Sequence, residues 1–118
     1  MMFYDSSNET FVIERKEASY EALDINKAPE VAPHTLLTVA DPISGTTSEE
    51  NLHIRVFWDM SVVEVFINGR TVISTRIYVA KEGGATIEFF AEAAVGSQKS
   101  DSYLQDATVW DGLKASEK

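Results

Sequence analysis

Nineteen aspartates and glutamates are spread along the 118 residues, against ten lysines and arginines. With so many carboxylates, an acid pair of the kind that cleaves glycosidic bonds can be drawn almost anywhere. That chemistry needs two carboxyls facing one sugar at about 5–10 Å, a spacing no linear pattern supplies here. Glu64 and Glu88 stand out because each interrupts an apolar run. Alternation puts them on the solvated face of a half-buried sheet, with a buried pairing to Arg55 or Arg76 as the structural alternative. Should turnover ever be found, the search would fall on Asp59, Glu64 and Glu88.

Other chemistries find less support. His34 and His53 are the only histidines, separated by a loop and without carboxylates at ligand spacing, so no metal site is expected. His53 is expected to face solvent from its strand. No serine sits in a nucleophile elbow, and neither histidine is placed as its base. No glycine-rich loop cradles a phosphate, so no cofactor is expected, and Gly83-Gly84 reads as a hairpin turn. Trp58, Tyr78, Tyr103 and Trp110 are candidates for a sugar-stacking platform or an interface, with core packing the competing role for the tryptophans. Asn8-Glu9-Thr10 is a glycosylation sequon and a weak pointer to secretion. The catalytic list is empty.

Composition sets the frame for these residues. The chain is 44% hydrophobic and 25% charged, at the globular average, and its length suits one domain. A net charge of −9 repels phosphate backbones and anionic lipid, so neither nucleic acid nor membrane is expected as a partner. No apolar run is long enough to cross a membrane as a helix. The first residues have neither the basic region nor the apolar core of a signal peptide. Cys 0 excludes disulfides, thiolate zinc and a cysteine nucleophile.

The elements that must position these side chains read as strands. Residues 10–15 form a short apolar run. Residues 16–34 read as a connecting loop, irregular at first and ending in Ala28-Pro29-Glu30-Val31-Ala32-Pro33-His34, where two prolines deny donors. Residues 35–40 are the next strand, stopped by Asp41-Pro42-Ile43-Ser44-Gly45, in which Asp caps its turn and Gly permits positive φ. Residues 46–51 read as polar loop. Residues 52–58 alternate with Leu52, Ile54, Val56 and Trp58 on one face. Asp59-Met60-Ser61 turns the chain into Val62–Ile67, and Asn68-Gly69 is a strong hairpin signal leading to residues 71–78. A two-residue turn sets Val65 opposite Val72; an added bulge shifts the register by one and brings Glu64 near Arg76. Residues 85–91 and 103–110 read as later strands, with a polar stretch at 97–102 and a frayed end at 114–118. Short strands at such spacing mean an antiparallel sandwich or barrel. The core is expected from Ile13, Leu36, Leu52, Ile54, Val56, Val63, Val65, Val72, Ile87, Phe89 and Trp110.

Residues 61–78, from Ser61-Val62-Val63-Glu64-Val65-Phe66-Ile67-Asn68-Gly69-Arg70 through Thr71-Val72-Ile73-Ser74-Thr75-Arg76-Ile77-Tyr78, closely resemble the C-terminal β-sandwich module of glycoside hydrolase family 32. That family contains invertases, inulinases, levanases and related β-fructosidases. Residues 52–59, Ile87-Glu88-Phe89-Phe90-Ala91-Glu92 and residues 104–110 are similar to neighbouring strands of the module. Residues 10–15 and Ala32-Pro33-His34 also fit, and the loop between them is fungal in style.

The resemblance implies an all-β fold: an antiparallel β-sandwich of jelly-roll or lectin-like form, residues 1–118 being a single module that lacks its first strands. The family's chemistry lies in a separate five-bladed propeller. It uses a nucleophilic Asp in Trp-Met-Asn-Asp-Pro-Asn-Gly, a stabilising Asp in Arg-Asp-Pro and an acid Glu in Glu-Cys. None of these motifs occurs here; Asp41-Pro42 follows Ala40 where the motif has Arg. The resemblance therefore implies a non-catalytic module of a sucrose- or fructan-hydrolysing enzyme, extracellular, with that enzyme's propeller as partner. A stand-alone lectin-like carbohydrate-binding module that contacts sucrose or fructan is the alternative. Missing first strands would leave an open sheet edge unless residues 1–5 fold back over it, so a homo-oligomer is expected.

Overall fold

The computed structural model describes residues 1–15, 28–77, 88–91 and 103–110. The chain divides into two units, Met1–Ala85 and Thr86–Lys118. The described residues contain no helix. The described residues of the first unit form eight strands: β1 Met2–Asp5, β2 Thr10–Ile13, β3 Glu30–Pro33, β4 Thr38–Ala40, β5 Thr47–Glu49, β6 Ile54–Asp59, β7 Val62–Ile67 and β8 Thr71–Arg76. They form an N-terminal sheet in the order β1-β2-β3, a two-stranded ribbon β4-β5, and a meander β6-β7-β8. All pairings are antiparallel.

The N-terminal sheet and the meander enclose the core of this unit. Phe11 and Ile13 from β2 meet Val63, Val65 and Ile67 from β7 and Ile73 from β8. Met2, Tyr4, Ala32 and Ile77 pack around them, half-buried. The residues alternate as strand geometry requires: Tyr4 and Ala32 stand opposite Phe11, and Met2 stands opposite Ile13. Burying each large side chain stabilises the fold by roughly 1.5–3 kcal/mol before entropy is charged.

Several expectations are corrected here. Residues 30–33 are a strand and not a loop. Its two prolines are tolerated because Pro29 precedes the strand and Pro33 ends it, on the edge of a sheet. Residues 47–49, expected as loop, pair with β4, and the strand expected over 35–40 begins only at Thr38. The Asp41 turn forms as read. Asp41 Oδ1 accepts from the amide of Ile43 at 2.8 Å, and Gly45 has φ +71°.

The hairpin takes the second of the two registers open to the sequence, and this corrects the placing of Val72 in the core. Asn68 and Gly69 adopt positive φ, and the Arg70 amide donates to the Ile67 carbonyl at 3.0 Å, which closes the expected turn. The ladder then resumes at Thr71, so the connection has three residues and Ile73, not Val72, lies opposite Val65. A one-residue shift moves every β8 side chain to the other face. Val72 is therefore outward and 56% exposed, and Ile73 takes its place in the core.

Leu52, Ile54 and Val56 are also exposed. Ile54, Val56 and Trp58 do share the inward face of the meander, standing opposite Ile67, Val65 and Val63. Among the described residues, however, the buried cluster draws on β2, β7 and β8 and takes nothing from β6. Leu36 is half-buried.

In the second unit, residues 88–91 and 103–110 are described and join no ladder, against the strands expected there. A strand exists only through its partner, and none pairs with these segments among the described residues. Phe89 and Trp110, expected in the core, are 60% and 73% exposed. Ile87, Tyr78, the Gly83-Gly84 turn, the stretch 97–102 and the end 114–118 lie outside the described residues, as do residues 16–27 of the loop expected over 16–34.

Candidate functional site

The inter-sheet core is closed at each end by polar ties, and both are built from β8. Thr71, Ile73 and Thr75 alternate onto its inward face, so a threonine stands at either end of a buried isoleucine. At one end the His34 ring, 3% exposed, meets Thr71 Oγ1 through Nδ1 at 2.8 Å. Tyr4 donates its hydroxyl to the His34 carbonyl at 3.0 Å and lies edge-on to the imidazole. Burial, followed by Glu9 and Glu49, raises the Tyr4 pKa above that of a free phenol. His34 Nε2 is buried without a hydrogen-bond partner among the described residues. At the other end Arg15 donates to Thr75 Oγ1 at 3.2 Å and pairs with Glu30 at 3.3 Å.

A third polar cluster pins the loops. Arg70, the extra hairpin residue, forms a two-pronged ion pair with Glu50 and donates to the Thr35 carbonyl at 2.9 Å. Glu50 also accepts the Leu37 amide at 2.8 Å. These bonds, Arg70 first, hold the Glu50 carboxyl down to about 2. Asn68 reaches back to the His53 amide at 3.0 Å and the Asn51 carbonyl at 2.8 Å. These three clusters tie the sheets and loops together, and apart from the buried His34 Nε2 the side-chain groups named are engaged within them.

The outward face of the meander is different. Its register sets Arg55 by Phe66 and Val72, Phe57 by Glu64 and Ser74, and Asp59 by Val62 and Arg76. Phe57 is 44% exposed, packs edge-on against Phe66 at 5.7 Å, and carries the Arg55 guanidinium 5.7 Å from its ring centre. A depression of about 280 Å³ is lined by Phe57, Asp59, Val62 and Glu64. Glu64 faces solvent as expected, and its pairing with Arg55 or Arg76 does not form: Arg76 donates to Ser61 Oγ at 3.3 Å. Neither Asp59 nor Glu64 has a hydrogen-bond or ion-pair partner among the described residues. The Glu9, Glu14 and Glu49 carboxylates are likewise without such partners among the described residues, whereas Asp5, Glu30, Asp41 and Glu50 are engaged.

Of the three carboxylates singled out in the sequence, Asp59 and Glu64 thus share a face, while Glu88 is exposed in the second unit. The two lie open to solvent, in a surface suited to holding a polar ligand and not to excluding water from a reaction. Among the aromatic candidates, Trp58 lies on the opposite, inward side of β6 and donates its indole N–H to the Met60 carbonyl at 2.8 Å. Tyr103 and Trp110 are exposed in the second unit, and Tyr78 is outside the described residues. Phe57 was missed in the sequence; its signal was an apolar residue at an outward position of an alternating strand. His53 is exposed as expected, and no metal-binding group of three ligands occurs among the described residues.

Comparison with known proteins adds the family. The model described as "Glycosyl hydrolases family 32 C terminal" matches residues 1–111, running through both units. No curated protein and no solved structure matches the chain. The antiparallel sheets and their shared apolar core are those of the β-sandwich that this family forms. A match over nearly the whole length places the chain in the family of glycosyl hydrolase family 32 C-terminal domains.

Proposed function

We propose that this chain is a single, non-catalytic sandwich module of a β-fructofuranosidase-type glycoside hydrolase, supporting the parent's catalytic propeller and its assembly into oligomers. The family match over residues 1–111 carries the reading. The absence of all three propeller motifs from the sequence supports placing the chemistry outside it. What the module offers is rigid surface: an inter-sheet core bracketed by Thr71–His34 and Thr75–Arg15, with loops pinned by Arg70–Glu50. An extracellular setting goes with this reading, and Asn8, exposed in the β1–β2 turn, is where a glycan would be carried.

Residues 2–5 fold back onto β2 as β1, so the open edge expected there is covered; what supports assembly is β6. Among the described residues it pairs only with β7, and it exposes Ile54, Val56 and Trp58 beside a ladder edge. Edges of this kind template pairing with another chain.

The isolated chain is expected to release no fructose from sucrose, inulin or levan. Turnover that survives removal of host invertase would overturn the reading. Light scattering coupled to gel filtration tests assembly, for which a species heavier than the 13.1 kDa chain is expected. A single species at chain mass, unchanged on concentration, would rule out the oligomer.

A further inference from the structure

We infer that Asn68 is a deamidation site gated by folding: the closed hairpin protects its side-chain amide, opening of the hairpin releases it, and the aspartate formed cannot rebuild the loop anchor. Asn68-Gly69 is the only Asn-Gly pair in the sequence. Asn8, Asn26 and Asn51 precede Glu9, Lys27 and Leu52, whose side chains crowd the nitrogen that follows each asparagine. Glycine, with no Cβ, leaves that nitrogen unhindered. In the reaction the Gly69 nitrogen gives its proton to solvent and attacks Asn68 Cγ. A new C–N bond closes a five-membered imide, the Cγ–Nδ2 bond breaks, and Nδ2 takes up a proton and leaves as ammonia. Water then opens the imide at either carbonyl, giving aspartate or isoaspartate, with no change of oxidation state.

The fold opposes the first step. Asn68 Oδ1 accepts from the His53 amide at 3.0 Å and Nδ2 donates to the Asn51 carbonyl at 2.8 Å, so both ends of the side-chain amide are held towards residues 51–53. The Asn68 backbone N–H donates to the His53 carbonyl at 2.8 Å, and the Arg70–Ile67 bond closes the turn around both reacting residues. Ring closure requires the side-chain bonds to break and Cγ to swing onto the Gly69 nitrogen. Gly69 is exposed, so water has access; what the folded chain withholds is side-chain freedom. The product is equally at odds with the fold. A carboxylate has no hydrogen to donate to the Asn51 carbonyl. It also meets Glu50, whose carboxyl is held at about 2 by Arg70 first and by Asn68 among its further donors. Deamidation thus replaces a donor beside Glu50 with a like charge, at the cluster that pins the loops. Isoaspartate further lengthens the turn backbone by one carbon. A chain that has opened and reacted is marked irreversibly and folds less stably afterwards.

The test incubates the intact 118-residue chain at mildly alkaline pH, in buffer and in urea, and follows Asn68 by peptide mapping with mass spectrometry. Conversion in urea should outrun conversion in buffer by about tenfold or more, because in buffer the reaction waits on opening of the hairpin. Asn8, Asn26 and Asn51 serve as controls in the same digest and should lag behind Asn68 in urea. Asn68→Asp, which is the product itself, should lower the urea midpoint at neutral pH. Equal rates in buffer and urea would overturn the gate. An Asn68 that stays intact in urea, or converts no faster than the other asparagines, would overturn the site. An Asn68→Asp midpoint equal to the parent's would overturn the claim that the product cannot rebuild the anchor.

Discussion

On β7, Val63, Val65 and Ile67 are fully buried, while Val62, Glu64 and Phe66, between them, face outward. β8 repeats the division, with Ile73 and Thr75 inside and Val72, Ser74 and Arg76 outside. Hydrophobicity does not separate the two faces, because each carries valines and a large apolar residue. What separates them is cover. The inward face lies under Phe11 and Ile13 of the N-terminal sheet, and where that cover ends, at β6, inward residues are exposed as well. Burial is thus a property of what lies above a residue, and an antiparallel sheet can leave one face to water.

Removing core volume should produce the largest difference between the faces. Ile67→Ala deletes a side chain with no exposed surface and should cost about 2–5 kcal/mol. Urea denaturation measures it, and a loss below about 1 kcal/mol would mean that the N-terminal sheet does not cover β7 as described.

Thr71→Val tests the polar tie at one end of the inward face. It takes from His34 Nδ1 the partner held at 2.8 Å, on a ring whose Nε2 already has none among the described residues. Leaving a buried polar atom unsatisfied costs about 1–3 kcal/mol, and Thr71→Ser, which keeps the hydroxyl, should recover most of it.

Gly69→Ala comes next. Gly69 holds φ +65° with open space where a Cβ would sit, so the penalty is conformational alone, about 1 kcal/mol. A much larger loss would point to a contact at the turn, and none is found within 4 Å.

Glu50 ties the loops at the surface, and its contribution depends on pH. Its carboxyl sits at about 2 in the folded protein, below the ordinary 4.5, so the folded state holds the ionised form more strongly. The resulting stability is fully present above about 4.5 and is lost as pH falls towards 2. Glu50→Gln should lower Tm at neutral pH and converge with the parent near pH 2, and added salt should narrow the gap because the pair is exposed. A gap that stays constant across this range would exclude the ion pair as its source.

Much of this fold was legible in the residues. A short apolar run marks β2, alternation marks β6 and a β-branched, aromatic run marks β7, while Asn68-Gly69 and Asp41-Pro42 mark the turns after β7 and β4. Two kinds of information were not. Long-range pairing turns a proline-flanked Val31-Ala32 into a strand, since only β2 alongside makes it one. Cover decides that Ile54 and Val56 are exposed while Val63 and Val65 are not, although all four alternate alike. The candidate site is half legible: a carboxylate inside an apolar run places Glu64 on the solvated side and Asp59 stands at a turn, whereas the apolar run Val56-Phe57-Trp58 does not say which of its side chains is left uncovered.

The smallest expected effect is also the sharpest test of register. Thr and Val have nearly the same shape, so Val72→Thr changes only a methyl for a hydroxyl. With Val72 opposite Phe66 and 56% exposed, that hydroxyl stays in water and stability should move by no more than about 0.5 kcal/mol. Had Asn68-Gly69 been the whole connection, Val72 would lie inward opposite Val65, and the hydroxyl would be buried without a partner at a cost of about 1–3 kcal/mol. Ile73→Thr supplies the control. It introduces the hydroxyl at a residue only 7% exposed and removes core volume as well. Denaturation midpoints of the pair therefore decide the register without a further structure: a neutral Val72→Thr beside a costly Ile73→Thr requires Arg70 as the added hairpin residue, and the reverse order requires the two-residue turn.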